Sequence, residues 1–220
     1  MEEKNTNGSQ KNSGRKLTKA EIARKELFDT LTADLESQGY IRKNITVSSL
    51  KANLLGFVAG FVPTVPFGIV FILLTRGEYT GVGHIWYMLF FPIFIVSVLI
   101  HEGLHGTGWA ISAKGHFKSI AFGVVWQALM PYCTCKDPLR KGQYIVGLLL
   151  PCIVLGIIPN VLACIFGSPA LLAFGTLMTV CAGGDILVLV LILKARLNGD
   201  VLLLDHPTDV GLVAFVRDNG

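Results

Sequence analysis

The stretch His101-Glu102-Gly103-Leu104-His105 has the H-E-x-x-H pattern. On a helix, side chains four residues apart lie one turn apart on the same face, so His101 and His105 can bind the same metal ion. Two imidazoles at this spacing are typical of zinc sites, and Glu102 beside them is placed to act on a water molecule at the metal. The motif therefore predicts a Zn²⁺ site with His101 and His105 as ligands and Glu102 as the catalytic base.

This motif lies in a strongly apolar segment, residues 95–113, which is suited to the interior of a membrane. Ionisable side chains are costly in hydrocarbon, and each one needs a partner there. A single intramembrane histidine often serves helix packing through a hydrogen bond, and that alternative applies here too. Two histidines and a glutamate together favour a metal, because one ion satisfies both imidazoles at once.

A catalytic zinc site needs a third protein ligand and one open position. The extended motif H-E-x-x-H-x-x-G-x-x-H has its glycine at Gly108, but Ile111 stands where its third histidine would be. A downstream glutamate is excluded because no glutamate follows Glu102. Apart from the motif, the four long apolar segments contain one Asp, Glu, His, Lys or Arg, which is Asp185. We therefore expect Asp185 to be the third ligand.

The spacing of the flanking charges supports this assignment. His105 lies nine residues before Lys114, and Asp185 lies nine residues before Lys194, the first charges past their apolar segments. At 1.5 Å per residue, both side chains lie roughly 13 Å from the same membrane edge. Small residues that let helix backbones approach closely, as a short aspartate needs in order to reach the ion, accompany both groups: Gly103, Gly106 and Gly108, and Ala182, Gly183 and Gly184. General helix packing also explains these residues on its own.

The elements that must position these residues are membrane-spanning helices. The chain has 220 residues, of which 52% are hydrophobic and 15% charged, as is typical of an integral membrane protein. Four apolar segments exceed the roughly 20 residues that a spanning helix needs; they are residues 53–75, 85–113, 143–166 and 169–193. Prolines predict breaks or bends in the first and third segments, at Pro63 and Pro66 and at Pro151 and Pro159.

Positive charge predicts the orientation of these segments. Ten of the 19 lysines and arginines lie within residues 1–51, and the loop at 114–141 is also basic, whereas the loop at 76–84 has one arginine. The positive-inside rule then places both termini in the cytosol. We expect a multi-pass protein of the plasma membrane with its active site toward the cytosol. The net charge of +4 is explained by topology, so no nucleic-acid partner is expected.

The chain divides into four predicted parts. They are a disordered tail (1–16), a cytosolic amphipathic helix and linker (17–50), a transmembrane metalloprotease-like domain (51–196) and a cytosolic C-terminal tail (197–220). Capping-box spacing predicts that the cytosolic helix begins at Thr18, and Gly39 is expected to end it. Residues 40–50 are expected to be extended. Its apolar stripe consists of Ile22, Leu27, Leu31 and Leu35.

Two further segments predict β structure. Residues 116–136 are apolar and β-branched in patches and are interrupted by Pro131, which favours a β-hairpin that dips into the membrane between the second and third spans. The C-terminal residues from Asp200 onward are expected to form strand, turn and strand, with a polar turn at 204–209. The predicted fold class is thus a membrane all-α protein with about four transmembrane helices, this hairpin and a small C-terminal β element.

The other histidines and the cysteines are weaker candidates for chemistry. His116 and His206 are expected outside the spans, and His84 on the opposite side of the membrane from the motif. Cys133 and Cys135 could bind a metal, but a Cys-x-Cys without a second pair is a weak signal. The odd number of cysteines, five, argues against a disulfide scaffold.

An H-E-x-x-H in one apolar helix paired with an aspartate in a later one resembles the site-2 protease class of intramembrane zinc metalloproteases. More closely, the chain is similar, over about residues 85–195, to a zincin peptidase group within that clan that is often labelled a domain of unknown function. The motif at 101–105 matches fully. The second motif departs from the pattern, because members carry Asp followed by Gly, whereas here Gly184-Asp185 is followed by Ile186. No PDZ-like insert is present.

The resemblance implies hydrolysis of peptide bonds in membrane proteins or peptides, within or near the bilayer, with Zn²⁺ as cofactor and the site toward the cytosol. Two alternatives stay open. The chain could be a catalytically inactive zinc-binding scaffold in the membrane, although such a site would not need Glu102. It could also be a small ion or proton transporter that uses the cluster of histidine, glutamate and aspartate. The sequence does not identify the substrate or the oligomeric state.

Overall fold

The structure, a computed structural model, describes residues 19–78, 83–125, 130–207 and 209–218. The predicted tail at 1–16 and the predicted helix start at Thr18 lie outside this part. The helices are α1 (Lys19–Ser37), α2 (Ser49–Phe61), α3 (Val65–Thr75), α4 (His84–Ala110), α5 (Lys141–Pro151), α6 (Ile158–Phe166), α7 (Pro169–Cys181) and α8 (Gly183–Lys194). The strands are β1 (Ile41–Val47), β2 (Ile120–Val125), β3 (Met130–Cys135), β4 (Leu139–Arg140), β5 (Asp200–Asp205) and β6 (Val210–Arg217).

Three helical segments are long and apolar enough to cross a membrane: Leu50–Thr75, Met88–Ala110 and Lys141–Phe166. They coincide with the first three predicted spans. The fourth predicted span is a bent pair, α7 and α8, whose axes differ by 50°. The mostly helical prediction is therefore confirmed, but the fourth segment is broken where we expected one continuous helix.

The prolines interrupt the helices where the sequence predicts it. A 3₁₀ turn at Val62–Thr64 contains Pro63 and separates α2 from α3. A π-helical turn at Cys152–Ile157 follows Pro151 and separates α5 from α6. Proline has no backbone N–H and its ring clashes with the preceding turn, which disturbs α-helical hydrogen bonding at these positions. Pro66 and Pro159 lie in the first turns of α3 and α6, where proline is tolerated, and Pro92 lies inside α4 without ending it.

The break in the fourth segment falls at Ala182, immediately before a pair of glycines. Gly183 is packed so tightly against α2 that a Cβ built on it would lie 2.1 Å from the carbonyl oxygen of Gly56. Two adjacent glycines hold a helix weakly, because they lose much backbone entropy and offer no side-chain packing. Helix α8 therefore starts as a separate helix at Gly183, and Asp185 lies in its first turn.

The predicted hairpin between the second and third spans is present. Strands β2 and β3 pair antiparallel, with Ile120 opposite Cys135 and Phe122 opposite Cys133. The hairpin packs on α4, where a Cβ built on Gly106 would lie 2.7 Å from Cζ of Phe122. It therefore covers the helix that carries the H-E-x-x-H motif.

A four-stranded antiparallel sheet has the order β1-β6-β5-β4. Strands β5 and β6 confirm the predicted strand, turn and strand at the C-terminal end of the chain. Strand β1 pairs with β6 along its whole length, from Ile41 opposite Val216 to Val47 opposite Val210. The segment between α1 and α2 therefore joins the C-terminal strands in one sheet.

Helix α1 lies on this sheet. Its buried residues Phe28 and Leu35 pack with Val213 and Phe215 of β6. The predicted apolar stripe is partly wrong, because Ile22 is 45% exposed. Phe28 takes the core position expected for Leu27, which is 40% exposed, because Phe28, Leu31 and Leu35 follow the helical period more closely. The helix ends as predicted near Gly39, whose φ of +86° suits glycine.

The sheet also packs against the helices that carry the candidate site. One buried cluster joins Leu203 and Leu212 of the sheet to Trp109 of α4, Leu148 of α5 and Ile192 of α8. The sheet thus contacts α4, which carries the motif, and also α5 and α8.

Candidate metal centre

The structure brings His101, His105 and Asp185 together. Nε2 of His101 lies 3.2 Å from Oδ2 of Asp185, and Nε2 of His105 lies 3.4 Å from Oδ1. One possible ligand atom from each residue lies within 4.8 Å of the other two, and no other such group of three His, Cys, Asp or Glu residues occurs in the described part of the chain. The juxtaposition expected from the sequence is therefore present.

The geometry of these three donors fits a zinc ion. The two histidine nitrogens approach different oxygens of Asp185, at 3.2 and 3.4 Å, and one ligand atom from each residue lies within 4.8 Å of the other two, so a single ion can be shared by all three. Both histidines are buried, and the side chain of Asp185 is 20% exposed. Two imidazoles and one carboxylate are a donor set typical of zinc and leave a fourth position for water or substrate.

His105 is held in a defined orientation by α5. Its Nδ1 lies 2.9 Å from the carbonyl oxygen of Gly147, which can only accept a hydrogen bond. Nδ1 is therefore the protonated nitrogen of the neutral ring, and the lone pair of Nε2 points to Asp185. The ring also stacks on Trp109, with centroids 5.2 Å apart and planes 13° apart.

The contact between α4 and α5 supports this orientation. Nε1 of Trp109 donates a hydrogen bond of 2.9 Å to the carbonyl oxygen of Tyr144, and the two rings stack at 5.5 Å. The backbones meet at two glycines, since a Cβ built on Gly108 would lie 2.6 Å from Cα of Gly147. Larger residues at this crossing would push α5 away from His105.

Asp185 is held differently, by the start of α8. It lies in the first turn of that helix, where the helix dipole stabilises a negative charge. The glycines do not have the role that we expected, which was to bring α4 and α8 together. A Cβ on Gly103 or Gly184 would meet open space, and the close approaches of the others are to α2, β2 and α5. Asp185 reaches the histidines because the break at Ala182 redirects the chain.

Glu102 lies beside the histidines and is half-buried. Its carboxyl group lies near the backbone of Cys133 on β3. The hairpin therefore contacts the carboxylate next to the metal-binding group, and α5 contacts one of its histidines.

Sequence reasoning missed the residues that support the motif. Trp109 follows His105 by four residues on the same helical face, a spacing that could have indicated stacking. Tyr144 and Thr134 both donate hydrogen bonds of 2.6 Å to the carboxylate of Asp205 on β5. Asp205 and Thr134 also line a cavity of 420 Å³ between α1, the hairpin and β5.

The weaker candidates do not join this group. Nδ1 of His116 lies 3.1 Å from the carbonyl oxygen of Ala110, and His206 accepts a hydrogen bond from the backbone of Asp209. Burial raises the pKa of the Cys135 thiol to about 11, and it raises the pKa of Cys133 as well. Neither thiol belongs to the group of three possible metal ligands found in the described part of the chain.

Residues 94–198 match a family model described as "Putative zincin peptidase". No curated protein and no solved structure matches the chain. The matched segment runs from the middle of α4 to the residues that follow α8, and it contains His101, Glu102, His105 and Asp185. The match supports a metallopeptidase, and the group of two histidines and one aspartate suits the zinc ion that such a family implies. Over the segment that carries the candidate metal centre, the chain is similar to zincin peptidases.

Proposed function

We propose that the chain is an intramembrane zinc metalloprotease of the site-2 type, which cleaves membrane-associated proteins or peptides near the cytosolic side of the plasma membrane. The observation that carries the proposal is the contact of His101 and His105 with Asp185, which connects a helix long and apolar enough to span a membrane with the bent apolar pair of α7 and α8. The similarity of residues 94–198 to zincin peptidases supports the reaction class.

His101, His105 and Asp185 would hold the ion. When bound, zinc lowers the pKa of water and polarises a carbonyl group. Glu102 accepts a proton from the attacking water and delivers it to the amine that leaves, as a general base and then a general acid. The backbone of Cys133 on β3 lies near the Glu102 carboxylate and would help to keep it beside the histidines during both transfers.

The hairpin gives this site a means of holding an extended substrate. Within the described residues, β2 and β3 pair only with each other, and β3 approaches β5 through Thr134. The outer edge of β2 is therefore available to pair with a strand of substrate by β-augmentation. A helical substrate would have to unwind before it could pair in this way.

The test is a comparison of membranes that carry the wild type or Glu102→Gln. Because the amide cannot take up the proton, we expect a fall in cleavage of about 10²- to 10⁴-fold and accumulation of uncut substrate, which quantitative proteomics detects. The variant should still bind zinc, since Glu102 is not among the ligands. Unchanged cleavage by a zinc-containing Glu102→Gln protein would contradict the mechanism.

The same variant and the zinc content of His101→Ala separate the two alternatives. An inactive zinc-binding scaffold would bind zinc in both proteins and show no difference in membrane peptides. A proton relay also has an observation in its favour, because His101 and Asp185 are within hydrogen-bonding distance of each other. A relay would work without zinc, so about one zinc per chain that is lost in His101→Ala would exclude it.

A further inference from the structure

The carboxylate of Asp205, the last residue of β5, connects two elements that contact the candidate metal centre. Oδ1 accepts a hydrogen bond of 2.6 Å from the hydroxyl of Tyr144 on α5, and Oδ2 accepts one of 2.6 Å from Thr134 on β3. Both donor residues are buried, at 3% and 5% exposure. Hydrogen bonds to an ionised acceptor are about twice as strong as neutral ones. One carboxylate therefore holds α5 and β3 relative to each other.

The first of these connections leads to His105. Tyr144 stacks on Trp109, and its carbonyl accepts the hydrogen bond from the Trp109 indole. Three residues further along the same helix, the carbonyl of Gly147 binds Nδ1 of His105. A displacement of Tyr144 would therefore change the direction in which Nε2 of His105 points.

The second connection leads to Glu102. Thr134 is the neighbour of Cys133 on β3, the strand that packs on α4, and the backbone of Cys133 lies near the Glu102 carboxyl group. Cys133 is paired with Phe122, which contacts α4 at Gly106. A displacement of β3 would therefore move the backbone that lies near Glu102.

We propose that Asp205 is a positioning residue for both parts of the centre: through Tyr144 it fixes the orientation of His105, and through Thr134 it fixes that of Glu102. Asp205 lies beyond residues 94–198, so the similarity to zincin peptidases does not assign it. The inference rests on the proposed function, because it assigns these two orientations to metal binding and to proton transfer.

The experiment compares Tyr144→Phe, Thr134→Val and Asp205→Ala in purified protein. Tyr40→Phe is the matched control, because it also removes a tyrosine hydrogen bond to an aspartate of β5, Asp200, at the other end of that strand. The first measurement is the zinc Kd by chelator competition, together with the visible spectrum of Co²⁺ bound in place of zinc. The second is the kcat and KM for the substrate that accumulates with Glu102→Gln.

We expect Tyr144→Phe to raise the zinc Kd about tenfold and to alter the Co²⁺ spectrum, as replacement of outer-shell partners does. Thr134→Val should leave the zinc Kd within about twofold and lower kcat about tenfold at unchanged KM, because it disturbs only the backbone near the base. Thr134→Ser retains a hydroxyl and should restore kcat. Asp205→Ala should show both effects, and Tyr40→Phe neither.

A different pattern would overturn the inference. If Asp205→Ala and the milder Asp205→Asn lower the melting temperature but leave the zinc Kd and the Co²⁺ spectrum unchanged, Asp205 is only structural. Failure of the proposed function would look different, because the wild type would then bind zinc and cleave nothing. The zinc Kd of Asp205→Ala would still show whether Asp205 orients His105. A wild type that binds no zinc would contradict the proposed function and this inference together.

Discussion

The two sides of the candidate metal centre are built differently. On the histidine side, α4 is continuous through the motif, and His105 is fixed by side-chain contacts: a hydrogen bond to Gly147 and a stack on Trp109. On the aspartate side, the helix is broken, and Asp185 is positioned by backbone packing at the start of α8. The close contact there is between the backbones of Gly183 and Gly56.

This difference shows what fixes the orientation of each ligand side chain. A histidine on a regular helix needs an external acceptor for Nδ1, since its ring can otherwise rotate. A short aspartate has few rotamers, so its direction follows the backbone that carries it. The histidine side should therefore be sensitive to side-chain changes on α5, and the aspartate side to changes in backbone packing between α2 and α8.

The largest expected effect comes from removing one ligand on each side. His105→Ala and Asp185→Ala should each weaken zinc binding by at least about 100-fold, the upper end for changes in outer-shell partners. The metal-free proteins should differ. His105→Ala loses the contacts with Gly147 and Trp109 and should lower stability by about 2 kcal/mol, whereas Asp185→Ala should cost less. Zinc competition and thermal melting of metal-free protein in detergent measure the two effects.

His84→Ala is the control for this pair, because His84 is exposed at the other end of α4. It should change neither zinc affinity nor melting. If metal-free His105→Ala and Asp185→Ala melted at the same temperature, the two ligands would contribute equally to stability. The proposed difference between the histidine side and the aspartate side would then be wrong.

The next effect tests the backbone contact on the aspartate side. A Cβ at Gly183 would lie 2.1 Å from the Gly56 carbonyl oxygen, so Gly183→Ala must displace α8 or α2. Overpacking of this kind costs about 1–3 kcal/mol, and we expect zinc affinity to fall about tenfold as Asp185 moves. Melting and zinc Kd are the measurements.

Gly184→Ala is the matched control, one residue away with open space around the added methyl. Since alanine favours a helix over glycine by up to about 1 kcal/mol, stability should stay the same or rise. Similar losses in both variants would mean that the contact between Gly183 and Gly56 does not position Asp185.

The smallest effect tests the side-chain support of His105. Trp109→Phe removes the hydrogen bond to the Tyr144 carbonyl and keeps an aromatic ring against His105. We expect a loss of about 1 kcal/mol in stability and a change in zinc Kd below about tenfold, because Gly147 still accepts from Nδ1. Trp86→Phe, at the start of α4, is the control. If Trp109→Phe lost more zinc affinity than Gly183→Ala, the expected order of these two effects would be wrong.

Much of the site could be predicted because a membrane restricts the choice of residues. Few ionisable side chains occur in the apolar segments, so the motif and Asp185 stand out in the sequence. The supporting contacts could not be found in this way. The acceptor for His105 is the backbone carbonyl of Gly147, and a carbonyl leaves no signature in residue type. Asp205 resembles a residue of a polar turn until its two partners, distant in sequence, are known.

The long apolar helices could be predicted from the length of their segments. The break in the fourth segment and the place of β1 in the sheet could not. The break at Ala182 depends on the contact between Gly183 and Gly56, which lie far apart in the sequence. Strand β1 is an edge strand with mostly exposed side chains, including Arg42 and Lys43, so it lacks the alternation that marks a half-buried strand.

The most direct test of the central claim is X-ray absorption at the zinc edge of the purified protein, in the wild type and Asp185→Ala. We predict imidazole nitrogens at about 2.0–2.1 Å and a carboxylate oxygen at about 2.0–2.2 Å, with the carboxylate contribution lost in the variant. A sulfur shell at about 2.3 Å would instead implicate a cysteine such as Cys133. That result, or a zinc affinity unchanged in Asp185→Ala, would contradict the assignment of His101, His105 and Asp185 as the zinc ligands.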